Sequence, residues 1–277
     1  REERVRPGLD DKILCSWNAM MMTAFLDAWA ALGDPSLLDA AQKSADFIRR
    51  CFMTADGTLL HSVKETAGVV TSGIPGFLED YAFTIEAFLR HYSLSMDPDS
   101  LQTAERLTAE VLRNFSDEET GMFWFTAAGS ETLIARKMEV QDNVIPSSNA
   151  VMAHNLVRLS KLKADASLEN RCKKMLHMVK EDTTRNTPWY SRWAMVWLEL
   201  EHGTEVAVSG REALHFLNEL QKEYLPLSVL AGATGPSRIP LLADRYHENE
   251  TGIYVCRYGT CHVPVYDLAS ALSNLRG

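Results

Sequence analysis

Carboxylate, hydroxyl, amide and aromatic side chains recur at the starts of three apolar segments of the chain. The segments begin at Ser16, Glu79 and Ser147. Hydrolysis or epimerisation of a sugar needs acidic side chains for proton transfer. A Trp or Tyr ring can also stack on the apolar face of a pyranose. The residue types therefore predict acid-base chemistry on a carbohydrate-like small molecule where the three starts meet.

These residues divide into two predicted roles. The candidate catalytic residues are Asp11, Glu79 and Asp80, and the candidate substrate-binding residues are Lys12, Trp17, Asn18, Tyr81, Ser147 and Asn149. Helix capping is the competing explanation for Asp and Ser before a helix, and pairing with a nearby acid is the competing explanation for Lys12. For Trp17, Asn18, Tyr81 and Asn149 the competing explanation is core packing or local backbone bonding. Backbone amides lower the pKa of a capping carboxylate, so a general acid here needs burial that raises its pKa.

The histidines and cysteines form no metal or redox motif in the sequence. Neither His-Glu-x-x-His nor Cys-x-x-Cys occurs, so we predict no metal and no cofactor. His154, inside an apolar segment, is the one histidine that we single out as a candidate proton carrier, but the sequence favours a core or inter-helix role for it. Cys256 and Cys261 are predicted to be structural thiols flanking a turn. The odd, dispersed set of 5 cysteines favours a reducing compartment.

Composition limits the partners. Lys and Arg number 28 against 37 Asp and Glu, and the net charge of -9 repels nucleic acid and acidic membrane surfaces. The longest uncharged apolar stretch, 19–26, is shorter than the roughly 20 residues that cross a bilayer. The chain starts with Arg and shows no signal peptide, so we expect the native N-terminus to lie outside it. We predict cytoplasmic localisation.

The three segments are copies of one repeat. In each copy Asn18, Tyr81 or Asn149 precedes an Ala and an apolar helix, with a period of about 65 residues. A helix with one charged face follows each of them, at 38–52, at 101–115 and from Leu168. The apolar helices are predicted to be inner and the charged helices outer. With a fourth inner helix over 189–201, seven helices alternate, as in a mainly α fold of the α/α toroid type.

After residue 203 the pattern changes. Strand-like stretches at 205–209, 225–230 and 251–256 alternate with helical ones at 211–223 and 265–275. This alternation predicts a small α/β segment with parallel strands. We therefore predict two domains, a hairpin-repeat domain over 1–203 and an α/β subdomain over 204–277. The glycines and proline of 73–76 predict a rigid loop or a lid over the mouth of the toroid.

Four ordered motifs resemble a known family. They are RVRPGLDDKILCSWNAMM (4–21), GFLEDYAF (76–83), NVIPSSNAV (143–151) and YVCRYGTCHVPVYD (254–267). Together they look like the C-terminal half of the spermatogenesis-associated, thioredoxin-domain-containing proteins of bacteria and animals. The resemblance implies a six-hairpin glycosidase-like toroid, similar to N-acylglucosamine 2-epimerases and several glycoside hydrolases. It also implies a fragment, preceded by a thioredoxin-like domain and the first toroid helices. Ser148 departs from the family, which more often has Gly there.

Two functions remain open at the level of sequence. One is an enzyme, a hydrolase or an epimerase or isomerase, that acts on a sugar-like ligand. The other is a non-catalytic binding or scaffold module that serves the thioredoxin-like domain. Two carboxyl groups facing one cavity, roughly 5 to 9.5 Å apart, would favour the enzyme. Carboxylates folded back onto backbone amides would favour the module.

Overall fold

The computed structural model describes residues 4–6, 8–66, 69–130, 135–257 and 259–276. Within these ranges the chain begins with a row of seven helices joined as hairpins. They are α1 (Cys15–Leu32), α2 (Pro35–Cys51), α3 (Leu78–Ser95), α4 (Pro98–Asn114), α5 (Ser148–Lys163), α6 (Ala166–Arg185) and α7 (Ser191–His202). Helices α1, α3, α5 and α7 pack side by side, and α2, α4 and α6 pack on their outside. The predicted α/α toroid architecture is confirmed.

Burial separates the two sets of helices. In α5, 13 of the 16 residues are buried, whereas in α6 only 5 of the 20 are. The outer helices therefore place one apolar stripe on the row and their charges in solvent. The inner helices α3 and α5 are enclosed on most sides, which explains their uniformly apolar sequences.

One turn closes all three hairpins. The inner helices α1, α3 and α5 end at residues with positive φ, namely Gly33, Met96 and Ala164, and in each case the next residue is an aspartate. The carboxylates of Asp34, Asp97 and Asp165 accept the N–H two residues later, at 2.9, 3.1 and 2.9 Å. The left-handed residue ends one helix and the aspartate caps the next. The sequence repeat is thus also a repeat of backbone geometry.

A small antiparallel sheet lies against the start of α1. Its strands are β1 (Ile13–Leu14), β2 (Ser62–Thr66) and β3 (Val69–Ser72), in that order across the sheet. The segments 56–60 and 120–125, which follow α2 and α4, carry isolated β-bridges rather than strands. The three-stranded sheet itself was not predicted.

The C-terminal layer is a four-stranded sheet with two helices. Its elements are β4 (Thr204–Ser209), α8 (Ala213–Gln221), β5 (Ser228–Ala233), β6 (Gly252–Arg257), β7 (Thr260–Cys261) and α9 (Leu268–Arg276), with sheet order β5-β4-β6-β7. Only β4 and β5 are parallel, and β6 and β7 are antiparallel to their neighbours. The expectation of parallel strands is therefore correct for one pair only. A parallel pair needs a crossover, and α8 supplies one between β4 and β5.

The two faces of this sheet pack on different partners. Ala207, Val229 and Ala231 belong to the core of the inner helices, while Val206 and Val208 pack with the core that includes α8 and α9. Alternate strand residues point to opposite faces, so β4 serves both cores. Secondary structure changes type at Gly203, where we placed the domain boundary. The division into domains over 1–203 and 204–277 stays a prediction.

The cysteines at the sheet edge correct one expectation. Cys256 and Cys261 face each other across β6 and β7, with Cα atoms 3.9 Å apart, and form a disulfide. The two predicted structural thiols do flank a turn, but they are joined to each other, because a tight hairpin makes residues with four others between them direct cross-strand neighbours. Among the helices of the described ranges, none has the length and apolar character needed to cross a membrane.

Candidate functional site

One buried carboxylate joins the starts of α1 and α3. Asp80 is fully buried, and its Oδ1 accepts the N–H of Ser16 at 3.1 Å while its Oδ2 accepts the N–H of Phe77 at 2.8 Å. A carboxylate in this position satisfies free amides of both helices and complements their dipoles. Asp80 therefore fixes the geometry of the mouth formed by these two helix starts.

The same carboxylate orients His61. Nδ1 of His61 lies 2.9 Å from Oδ2 of Asp80, and the backbone of His61 is held on both sides. Its carbonyl accepts the N–H of Cys15 at 2.9 Å, and its N–H donates to the carbonyl of Ile74 at 2.9 Å. The hydrogen bond with Asp80 raises the pKa of His61 above 6.5, against the opposing effect of burial. The result is an Asp–His dyad at the mouth.

The loop over 73–76 packs against the segment 59–62, which carries His61. A Cβ at Gly73 would lie 1.9 Å from the carbonyl oxygen of Ser62, so only glycine allows the loop to approach β2. The N–H of Gly76 donates to the carbonyl of Leu59 at 2.7 Å. These contacts fit the rigid loop of the sequence prediction, since they attach 73–76 to the turn that carries His61.

The environment of Glu79 raises the pKa of its carboxyl group. Burial raises the pKa of Glu79, the charges of Asp80 and Glu139 raise it further, and His61 lowers it. Ligand atoms of His61, Glu79 and Asp80 all lie within 4.8 Å of one another. Glu79 thus has the property that the sequence analysis required of a general acid, and it has a titratable imidazole beside it.

A groove of about 500 Å³ opens beside this cluster. It is lined by Lys12, Leu14, His61, Ser62, Val63, Lys64, Gly73 and Ile74. Its volume is within the range of small-molecule sites. Lys12 contacts Asp10, with Nζ 3.4 Å from Oδ2. Asp11 pairs with Lys64 at 2.6 Å, and that hydrogen bond lowers the pKa of Asp11. Asp11 is therefore an ionised acceptor paired with a lysine of the groove.

Asn18, Tyr81 and Asn149, the residues that recur in the three copies of the repeat, hydrogen-bond to the backbone of an earlier segment of the chain. The hydroxyl of Tyr81 accepts the N–H of Leu59 at 3.0 Å. Oδ1 of Asn149 accepts the N–H of Phe123 at 2.8 Å, and its Nδ2 donates to the carbonyl of Phe123 at 2.9 Å. Asn18 donates to the carbonyl of Leu14 at 2.8 Å. The sequence analysis offered local backbone bonding as the alternative to substrate binding, and these contacts are of that kind.

The two remaining predicted residues, Trp17 and Ser147, lie at the starts of α1 and α5. Trp17 is 64% exposed at the start of α1. The hydroxyl of Ser147 accepts the N–H of Ala150 at 3.1 Å and caps α5. Asp142, which sequence reasoning missed, accepts the N–H of Ser147 at 2.9 Å and that of Arg192 at 2.9 Å. It joins α5 to α7 as Asp80 joins α1 to α3.

His61, Glu79 and Asp80 are also the group within the described residues that could hold a metal ion. Both oxygens of Asp80 already accept backbone amides, and one of them also meets His61. Asp80 therefore orients the imidazole of His61, and its oxygens are engaged rather than open to a metal ion. The predicted absence of a metal remains a prediction.

A second cavity, of about 580 Å³, lies between the inner helices and the segment 221–230. A buried charge network borders it. Arg192 donates to Glu86 and to Nδ1 of His154, the latter at 2.6 Å, and Nε2 of His154 lies 2.6 Å from Glu199. Arg158 also donates to Glu199, at 3.3 Å. His154 is thus an inter-helix link with both ring nitrogens engaged, the role that the sequence analysis favoured for it.

The network sets the charge state of its members. Burial alone would raise the pKa of Glu199, but Arg158 and His154 lower it well below the usual range. Burial and the charge of Arg158 lower the pKa of His154, so its imidazole is neutral at pH 7. Apart from His154, sequence reasoning missed these residues. Their signal was a charge inside an otherwise apolar inner helix, as at Glu86 and Arg158.

Relatives of the chain are found among curated proteins, although no family model matches it. The chain is 30% identical over 286 residues to spermatogenesis-associated protein 20 of Homo sapiens and of Rattus norvegicus. An uncharacterized protein of Caenorhabditis elegans is 26% identical over 282 residues. Each alignment covers 96% of this chain but only 36% to 38% of the relative. The resemblance drawn from the four motifs is confirmed, and the chain spans about a third of the length of these relatives.

Solved structures share the fold. A chain designated UGL, solved with dGlcA-Glc-Rha-Glc, has a TM-score of 0.54 and 15% identity, covering 71% of this chain and 62% of that one. A cellobiose 2-epimerase from Spirochaeta thermophila has a TM-score of 0.51 and 14% identity, covering 63% and 44%. A GH76 alpha-mannanase from Bacteroides thetaiotaomicron has a TM-score of 0.50 and 14% identity, covering 65% and 46%. At these identities the likeness shows the six-hairpin toroid fold alone.

Proposed function

We propose that this homologue of spermatogenesis-associated protein 20 binds a carbohydrate-like small molecule at the mouth of its toroid and catalyses proton transfer on it, as an epimerase or isomerase. The observation that carries the proposal is the pairing of Glu79 with His61 beside the groove. Both groups have a raised pKa: burial raises the pKa of Glu79, and the hydrogen bond with Asp80 raises that of His61. The sugar-processing neighbours in the same fold make this substrate class a reasonable one.

The two groups have complementary roles in this proposal. Ionised Glu79 removes a proton from a carbon of the bound sugar next to its carbonyl group. Protonated His61 returns a proton from its ring, which exchanges with solvent. Asp80 is a positioning residue in this scheme, because its oxygens hold two helix starts and the imidazole. Asp11, in its ion pair with Lys64, supplies an ionised acceptor beside the groove.

Binding is assigned to the groove and its surroundings. Lys12 lines the groove and offers an ammonium to hydroxyl or anionic groups of the ligand. Trp17 supplies an exposed ring for stacking on a sugar face. Tyr81 acts indirectly, since its hydroxyl holds Leu59 in the segment that leads to His61. Asn149 and Ser147 fix the turn at Phe123 and the start of α5, next to the groove-bearing part of the row.

Isomerisation suits this arrangement better than glycoside hydrolysis. Hydrolysis uses two carboxyl groups on either side of the glycosidic bond, at roughly 5 to 9.5 Å. Asp80 is fully buried and hydrogen-bonded at both oxygens, so it is not available as the second carboxyl group beside Glu79. An imidazole beside a carboxylate is a general acid-base pair instead.

The test is a ligand screen followed by turnover. The full-length protein is screened by thermal shift against monosaccharides, disaccharides and sugar phosphates, and each ligand that stabilises it is assayed for isomerisation. We expect Glu79→Gln and His61→Asn each to reduce kcat by about 100-fold or more while the ligand still binds. Glu181→Gln, an exposed carboxylate of α6, is the matched control and should retain full activity.

Two results would count against the proposal. Turnover by Glu79→Gln at the wild-type rate would show that Glu79 is not the base. Binding of a ligand without any turnover would favour the non-catalytic module that works with a thioredoxin-like domain.

A further inference from the structure

We infer that Cys256 and Cys261 form a thiol–disulfide exchange site, with Arg245 as the group that stabilises the released thiolates and a dithiol as the reaction partner. The site lies at the edge of the C-terminal sheet, and the inference is independent of the groove beside His61.

The geometry centres on the guanidinium group of Arg245. Its Nη1 lies 3.5 Å from Sγ of Cys256, and its Nη2 lies 3.3 Å from Sγ of Cys261. The group is held in place by the ring of Tyr254, whose centroid is 4.8 Å from the guanidinium carbon. The hydroxyl of Tyr254 also donates to the carbonyl of Arg245 at 3.2 Å. A fixed cation therefore contacts both sulfur atoms.

A cation beside sulfur has a specific consequence when the disulfide opens. The leaving sulfur departs as a thiolate, and a guanidinium within hydrogen-bonding distance stabilises that anion. An intact disulfide is neutral and gains little from the same contact. Arg245 thus favours the reduced products and the transition state for exchange over the disulfide itself.

Exposure makes the site directional. Cys256 is 2% exposed, inside the sheet, whereas Cys261 is exposed in the short edge strand β7. An incoming thiolate can reach Sγ of Cys261 but not Sγ of Cys256. Cys261 is therefore the sulfur that is attacked, and Cys256 is the leaving group.

The exchange balances as a two-electron transfer. A thiolate of the dithiol forms a bond to Sγ of Cys261, the bond between Cys256 and Cys261 breaks, and Cys256 leaves as a thiolate. The second thiol of the partner then loses its proton and attacks its own sulfur in the mixed disulfide, which releases Cys261 as a thiolate. The partner is oxidised to a disulfide and both cysteines are reduced, each thiolate taking up a proton according to its pKa.

The other described cysteines lack these features. Cys15, Cys51 and Cys172 are buried. Burial raises the pKa of Cys172 to about 12 and that of Cys15 well above its usual value. Such thiols carry almost no thiolate at neutral pH and do not exchange readily.

The first experiment measures the direction of exchange. Cys256→Ser and Cys261→Ser variants of the full chain are mixed with glutathione disulfide, and the mixed disulfide is quantified by intact mass and peptide mapping. We expect Cys256→Ser to form glutathione adducts at Cys261 at least tenfold faster than Cys261→Ser forms them at Cys256. Equal rates at the two cysteines would overturn the assigned direction.

The second experiment measures the role of Arg245. The rate at which dithiothreitol reduces the disulfide is compared in wild type, Arg245→Met and Arg245→Lys, after thermal unfolding confirms that each variant is folded. We expect Arg245→Met to be slower by about tenfold, the effect of about one pKa unit in thiolate stability, and Arg245→Lys to recover part of the loss. Arg211→Met, which removes an exposed arginine of the same layer paired with Glu248, is the control.

Two outcomes would overturn the inference. One is a rate for Arg245→Met equal to that of wild type, and the other is a wild-type disulfide that survives excess dithiothreitol in the folded protein.

Discussion

At the scale of single residues, two neighbouring carboxylates at the start of α3 have different environments. Glu79 and Asp80 are adjacent in sequence, yet one has a pKa raised by burial while the other holds two helix starts. The difference arises from which side chain points into the protein, and the repeat pattern does not determine that. His61 was missed because it lies in a turn after α2, and only the folded chain brings it to Asp80.

The proposed pair predicts a bell-shaped dependence of kcat on pH. Glu79 acts ionised, so activity falls as pH drops through its pKa, which lies above 4.5. His61 acts protonated, so activity falls as pH rises through its pKa, which lies above 6.5. Glu139→Gln removes a charge that raises the pKa of Glu79, and it should move the acid limb to lower pH. An acid limb that stays in place would show that Glu79 is not the group that titrates.

At the scale of elements, the sequence predicted the helices and their alternation well. Inner and outer helices differ in how much of their surface they bury, and the spacing of apolar residues in the sequence reflects that difference. The sheet formed by β1, β2 and β3 was not predictable in the same way. Strand β1 has only two residues and pairs with β2 far along the chain, Ile13 with Val63, so no local period marks that pairing. Strands β2 and β3 are sequence neighbours, but both are short.

The shared hairpin turn predicts a measurable capping energy. Asp165 caps α6 through the N–H and hydroxyl of Ser167, at 2.9 and 2.6 Å. Asp165→Ala should lower the free energy of unfolding by about 1 kcal/mol, and Asp165→Asn should retain most of it because Asn also caps helices. Urea unfolding followed by circular dichroism measures both variants. Equal losses in the two would mean that the cap contributes little and that charge dominates.

At the scale of the whole molecule, the helix row and the C-terminal layer enclose charges that the sequence did not place together. Glu86, His154, Arg158, Arg192 and Glu199 come from α3, α5 and α7. Every pair of the network, Arg192 with Glu86 and both His154 and Arg158 with Glu199, joins two different helices. The network exists only because three inner helices converge, which is a property of the tertiary fold.

This network predicts a large local contribution to stability. Glu199 is 2% exposed and contacts both His154 and Arg158. Glu199→Gln leaves Arg158 without its buried partner and should cost about 3 to 5 kcal/mol in the free energy of unfolding. Glu181→Gln, which breaks an exposed pair with Arg185, should change almost nothing. Chemical denaturation compares the two, and similar values for both would show that the network is not a unit.

The same network predicts the direction of acid unfolding. The pKa values of Glu86 and Glu199 are lowered in the folded protein, so their stabilisation is present above pH 4.5 and is lost as pH falls through the lowered values. The pKa of His154 is also lowered, so the unfolded chain takes up its proton first as pH drops below 6.5. Both effects should reduce the melting temperature on acidification. Glu199→Gln lacks one of these carboxylates, so its melting temperature should fall less than that of wild type as pH drops below 4.5.

The central claim, that Glu79 and His61 transfer protons on a bound sugar, is tested most directly by turnover in deuterium oxide. The base that removes the proton and the acid that returns one are different groups, so the product should carry deuterium at the reacting carbon, as measured by proton NMR. Glu79→Gln should yield neither product nor deuterated substrate, while Glu181→Gln should behave as wild type. Product without deuterium, or deuterium incorporation by Glu79→Gln at the wild-type rate, would contradict the account.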